Sequence, residues 1–372
     1  MATVRVWNRS IFGVGRYYRG WNTVARLRIG CVGRPRSALG GSAIRIDIHA
    51  HILSEGFLRE LADEGVFGIE RGGDAFLFPG YGPLDRWLFD LDSRLESLRR
   101  RDFGLQLVGP PPRIVSHASW VTDARFARRL NAQTAEVVAQ GEGLLAGLAA
   151  PALGEPALAA EELRRAVGEH GFKGVALPSA AADVPLDTPP FEAFFATCAE
   201  LGLLVFMHPT TAADRPATGD FTLLQLVGWP FETTLAVARL IFAGTLERHP
   251  DLRLVLAHGG GAIPWLAGRL DLGYFAPEYE ANPDCRAHIS KPPSAYLRDM
   301  YFDTVVADAA ALEFLISRVG PERVLFGSDY PFEIGDAEGK ASLPSIEAMP
   351  EAAQRLILGG NAGRLLSEAK TA

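Results

Sequence analysis

Ile46-Asp47-Ile48-His49-Ala50-His51-Ile52-Leu53 (IDIHAHIL) sets two imidazoles two residues apart at the end of an apolar, β-branched run. Side chains two apart on a strand point to the same side, so His49 and His51 can converge on one point. Taken alone, the pair reads either as metal ligands or as two hydrogen-bonded histidines. What surrounds it decides the fold. Ile44 to Ile48 is the first of eight short β-rich runs, followed by Leu105 to Val108, Leu144 to Ala149, Gly174 to Leu177, Leu203 to Met207, Leu254 to Ala257, Met300 to Asp303 and Val324 to Gly327. Between them lie amphipathic helical patterns: Asp123 to Gln140, Glu155 to Glu169, Pro190 to Leu201, Glu232 to Arg248, Asp308 to Arg318 and Met349 to Leu358. Such alternation predicts a parallel sheet, and eight units predict an α/β fold of the (β/α)8 TIM-barrel type.

Two stretches interrupt the alternation. Glu55 to Asp90, rich in glycine and aromatics, carries two short strand-like runs and predicts a small cap inserted after the first strand. Thr210 to Pro230 follows the fifth strand. In a barrel, excursions after strands lie over the active-site mouth.

The chain has 372 residues, 48% hydrophobic and 22% charged, which suits a globular protein with a substantial core. A formal net charge of -7 gives no reason to expect nucleic acid or an anionic membrane as partner. No long apolar run predicts a membrane span. Cys31, Cys198 and Cys285 are widely spaced and form no Cys-x-x-Cys pattern, so a reducing cytoplasm is the expected compartment. Residues 1–43 differ from the rest: arginines recur from Arg5 to Arg36, and no Asp or Glu precedes Asp47. We read them as a basic, disordered extension, with the barrel over residues 44–372.

The polar residues at strand ends carry the chemistry. His49 and His51 follow the first strand, His208 the fifth (LLVFMHP), His258 the sixth (LRLVLAHGGG) and Asp329 the eighth (VLFGSDYPF). Catalytic groups of barrels gather at that face. His49, His51, His208 and Asp329 offer three neutral nitrogens and one anionic oxygen, a set suited to one Zn(II) or a similar divalent ion. His258, before three glycines, is placed to act as a base on metal-bound water, its alternatives being a structural or a further ligand role. His170 and His249 fall at helix ends, His288 lies in a loop, and His117 follows the second strand. Lys173 stands at the start of a strand, so no bridging lysine for a second metal is expected.

DIHAHIL, MHP, LVGWPFETT, AHGGGAIPWLAGR and VLFGSDYPFEIGD, in this order, resemble the amidohydrolase-related metal-dependent decarboxylases, most of all their aminocarboxymuconate semialdehyde decarboxylase branch. The resemblance implies one zinc held by His49, His51, His208 and Asp329, with His258 activating its water. It further implies that Arg94 grips a substrate carboxylate and that Arg269 reaches into the neighbouring site of a homodimer. Without the resemblance, Arg94 reads as a surface residue of an amphipathic helix. Two departures fall on expected pocket walls: Phe89-Asp90-Leu91 where the family pattern has Trp-Asp-Pro, and Thr210-Thr211 where it often has Trp-Asp. They predict a retained chemistry with a shifted specificity. The expected reaction is non-oxidative decarboxylation of a small unsaturated or aromatic carboxylic acid. The rivals are hydrolysis of an amide, ester or lactone at the same site, and hydration of an unsaturated acid.

Overall fold

The computed structural model describes residues 44–73, 75–78, 82–111, 114, 124–181, 184–210, 220–275 and 283–369. Every described residue belongs to one compact unit, residues 43–372. The reading of residues 1–43 and of His117 therefore lies outside the described residues.

Eight parallel strands stand in chain order: β1 (Arg45–His51), β2 (Phe103–Gly109), β3 (Leu145–Ala149), β4 (Gly174–Pro178), β5 (Leu204–His208), β6 (Arg253–Leu256), β7 (Tyr301–Asp303) and β8 (Val324–Leu325). The chain just beyond β8 returns to β1. Ile48 N donates to Phe326 O at 3.0 Å, Asp329 N to His49 O at 2.9 Å and His51 N to Tyr330 O at 2.8 Å. These bonds join the first and last strands into a (β/α)8 barrel.

The outer layer uses α2 (Leu91–Arg100), α3 (Ala124–Gln140), α4 (Pro156–His170), α5 (Glu192–Leu201), α6 (Trp229–Phe242), α7 (Ile263–Phe275) and α8 (Ala309–Val319), while α1 (Glu55–Asp63) belongs to the insertion after β1. Helix ends follow local chemistry. Asp90 caps α2 by accepting from Ser93 N, Asp308 caps α8 through Ala311 N, and α4 and α5 stop at Gly171 and Gly202 in the left-handed conformation. The pattern read as one helix from Glu232 to Arg248 is two, because Gly244, also left-handed at φ 73°, ends α6 before the short helix Thr245–Arg248.

Alternate residues of each strand feed two apolar layers. Ile46, Ile48, Leu107, Leu204, Phe206 and Val255 fill the barrel. Val108, Val175, Val205, Leu254 and Phe302 pack outward against the helices. β1 breaks the alternation: Asp47 pairs with Gln106 but Ala50 with Val108, so three steps on β1 face two on β2. This extra residue is a bulge, and it turns His49 inward although Ile48 already points inward. His49 and His51 thus lie within the strand, not after it.

The insertion after β1 holds α1 and a three-stranded antiparallel sheet of Glu70–Gly72, Ala75–Phe78 and Gly82–Pro83. Phe57, Leu58 and Phe76 pack it on Phe126 and Leu130 of α3 and on Leu53 at the barrel mouth.

Candidate metal centre and its cavity

His49, His51, His208 and Asp329 are all buried, and one ligand atom from each falls within 4.8 Å of the others. Their orientation comes from the far side of each ring. His49 Nδ1 lies 2.7 Å from Asp303 Oδ2, His51 Nδ1 3.3 Å from Pro110 O and His208 Nδ1 2.9 Å from Pro209 O. A carbonyl oxygen only accepts, so the Nδ1 of His51 and of His208 carries the proton and donates. That leaves an Nε2 lone pair facing the centre.

Four atoms able to ligate a metal crowd together there. His49 Nε2 and His51 Nε2 are 3.2 Å apart, and each is 3.1 Å from Asp329 Oδ1. His208 Nε2 is buried without a hydrogen-bond partner. An array of lone pairs and one carboxylate suits a divalent cation, so the residues fit a single metal ion. The electrostatics agree. Burial opposes charge on His49, but the carboxylates of Asp329 and Asp303 outweigh it and hold its pKa up at about 10. Burial and the neighbouring imidazoles push His208 well down, and burial lowers His51. Asp329 is held well below the carboxylate range: burial raises it, and the opposing attraction of His49 and bonds from His258, His49 and His51 prevail.

His258 stands beside this set. Its ring centroid is 4.9 Å from that of His208, and its Nε2 is 3.5 Å from Asp329 Oδ2. The backbone is left-handed at His258 (φ 54°) and at Asp329 (φ 55°). Such conformations cost side-chain-bearing residues about 1–3 kcal/mol each, and they aim both groups at the centre.

A cavity of about 330 Å³ adjoins the ligands, lined mainly by apolar groups including Leu53, Phe78, Ile114, Trp229 and Phe332. The Phe332 ring lies 5.3 Å from that of His51, and the Trp229 ring 5.9 Å from that of His208. Thr210 lines a small void next to His51 and His208 and is fastened to Ser179. Phe89, expected on the pocket wall, instead meets Phe76 edge-on at 5.4 Å and lines a separate groove with α3.

The arginines depart most from expectation. Arg94 is wholly buried, so its reading as a surface residue is overturned. Its Nη2 donates to His51 O at 2.5 Å and its Nη1 to Gln106 Oε1 at 2.8 Å, with Tyr330 4.5 Å away under the guanidinium. Burial lowers its pKa to about 10, so it stays charged. It is not among the residues that line the cavity, and its Nη donors brace β1 and β2 from outside. Arg269 sits exposed on α7, away from the cavity lining, between Trp265 (75% exposed) and Leu272 (59%).

Sequence reasoning passed over Asp303, although it ends the seventh predicted strand as Asp329 follows the eighth. That shared position was the available signal. His249, set aside as a helix-end residue, pairs with Glu192 Oε1 at 2.7 Å.

A profile of the amidohydrolase family matches residues 46–367. The 2-amino-3-carboxymuconate-6-semialdehyde decarboxylase of Dictyostelium discoideum is 31% identical over 330 residues, covering 86% of this chain and 90% of its own. The crystal structure of 5-carboxyvanillate decarboxylase from Sphingomonas paucimobilis superposes with a TM-score of 0.73 at 26% identity, covering 88% of this chain and 99% of that one. A dihydroxybenzoic acid decarboxylase from Polaromonas sp. JS666, solved with bound manganese and 2-nitroresorcinol, shares the fold at a TM-score of 0.68 and 21% identity, covering 88% and 98%. The barrel, the converging histidines and these likenesses together show that the chain belongs to the amidohydrolase family.

Proposed function

We propose that the protein is a metal-dependent, non-oxidative decarboxylase of a small unsaturated or aromatic carboxylic acid. The observation that carries this is the pairing of the His49, His51, His208 and Asp329 cluster with an apolar, aromatic-lined cavity and a further imidazole, His258, outside the ligand set. Relatives named as decarboxylases support it. We infer zinc from the three-nitrogen, one-oxygen donor set, with manganese as the alternative that the Polaromonas fold neighbour suggests. A divalent ion held there offsets negative charge on a bound carboxylate and lowers the pKa of bound water.

The residues divide the remaining work. Phe332, Trp229 and Phe78 hold the apolar body of the acid and keep water from it. His258 moves a proton at Nε2, and its neighbour Asp329 Oδ2 steadies the charged ring. As the carboxyl carbon leaves as carbon dioxide, the electron pair stays on the adjacent carbon, which takes the proton.

In this reading two copies associate through the exposed apolar stripe of Trp265, Leu272 and Phe275 on α7 and Phe231 and Leu235 on α6, bringing Arg269 to the neighbouring site. We assign the protein to the cytoplasm, in keeping with the unpaired thiols of Cys198 and Cys285. No helix among the described residues is long and apolar enough to cross a membrane.

Purified protein loaded with one equivalent of zinc, offered a panel of unsaturated and aromatic carboxylates, should release carbon dioxide stoichiometrically with loss of substrate. Release of amine or alcohol from amides, esters or lactones, without carbon dioxide from any acid, would make it a hydrolase.

A further inference from the structure

Asp303 closes β7 inside the barrel, fully buried, and contributes no atom to the ligand cluster. Its two oxygens serve different elements. Oδ2 faces His49 Nδ1 at 2.7 Å, while Oδ1 accepts from Gly259 N at 2.8 Å and from Val305 N at 3.1 Å. Gly259 follows His258 directly and continues its left-handed turn at φ 61°. One carboxylate therefore touches both the ring of a ligand and the backbone that carries the neighbouring imidazole.

Packing leaves this bridge little slack. A Cβ on Gly327 would come within 3.0 Å of the Cβ atoms of both Asp303 and His49, and one on Gly259 within 2.4 Å of Val306. Only glycine at both places lets the three elements close on the carboxylate.

We propose that Asp303 is a positioning residue that couples the metal centre to His258. By accepting from His49 Nδ1 it keeps the Nε2 lone pair turned to the metal, and by accepting from Gly259 N it fixes the turn that aims His258. The inference rests on the metal-site reading above and adds a dependence between its two halves.

Asp303→Asn distinguishes this role from simple packing, since the shapes match. An amide that keeps its oxygen on Gly259 N and Val305 N must turn its NH2 group toward His49. His49 then has to accept at Nδ1 and carry its proton on Nε2, where the metal binds. Zinc affinity of the folded variant, measured by calorimetric titration with zinc chloride, should fall about 10- to 100-fold. At saturating zinc, kcat should stay at least about tenfold below wild type with KM nearly unchanged, because the His258 turn is disturbed as well.

Should Asp303→Asn not fold, Gly327→Ala wedges a methyl group between Asp303 and His49 and should weaken zinc binding several-fold while both side chains remain. Zinc affinity within about twofold of wild type in a folded variant would overturn the proposal, as would full recovery of kcat at saturating zinc. A wild-type protein that takes up no zinc, manganese or other divalent ion would instead overturn the metal-site reading itself.

Discussion

His49 shows how one residue's surroundings set a measurable property of the whole site. In the metal-free protein the Asp329 and Asp303 carboxylates overcome burial and hold its pKa at about 10, so it carries a proton at neutral pH. A metal-ligating imidazole must be neutral, and ion binding has to displace that proton. His51 and His208, both lowered, and Asp329, already ionised, release none between about pH 7 and pH 9. Apparent zinc affinity should therefore rise about tenfold per pH unit over that range, as read by competition with a chromophoric chelator; a flat profile would mean that His49 is neutral before metal arrives. His258 gives a second test at this scale. Because it lies outside the ligand cluster, His258→Ala should keep near-stoichiometric metal and lose about 10²- to 10⁴-fold in turnover. Loss of metal together with turnover would make it a ligand. The four cluster residues were legible in the sequence because their chemical types are distinctive and each falls in or just beyond the C-terminal half of a strand. Asp303 was not, since a carboxylate that serves another side chain leaves no spacing signal of its own.

At the scale of elements, strand and helix positions were largely readable because burial imposes the periods of sheet and helix. The exceptions are local. The β1 bulge depends on pairing with β2, which periodicity along a single strand does not encode, and it decides which way His49 points. Arg94 misled for a related reason. On α2 it occupies a polar position, yet β1 and β2 offer His51 O and Gln106 Oε1 as acceptors, while Gln106 Nε2 in turn donates to the buried Asp47 at 2.8 Å. Its donors satisfy groups that would otherwise be buried unpaired. Arg94→Leu should lower the unfolding free energy by about 2–4 kcal/mol, measured by urea denaturation of the metal-free protein, since two acceptors and their network lose a charged donor. A variant of unchanged stability whose only defect is a raised KM would return Arg94 to a carboxylate-binding role.

For the whole molecule, barrel closure brings the ends of β1 and β5 and the loops after β6 and β8 to one point, which is why ligands spread over some 280 residues can act together. The fold was legible at this scale because eight alternating units admit few arrangements; the exposed apolar stripe was not, because in a single sequence it looks like a buried one. α6 and α7 leave Phe231, Leu235, Trp265, Leu272 and Phe275 exposed around a charged Arg269, and two copies of such a face would bury them together. The proposed sharing of sites between two copies is tested by mixing two variants. On that proposal His258→Ala disables a subunit's own site, whereas Arg269→Ala disables its neighbour's. In a mixed dimer of the two variants, one site keeps its own His258 and receives an intact Arg269, while the other lacks both. Random reassociation of equal amounts makes half the dimers mixed, so activity should return to about a quarter of wild type from two inactive parents. If each site is complete within one chain, the mixture would stay as inactive as its components, and Arg269 would then not serve the neighbouring site.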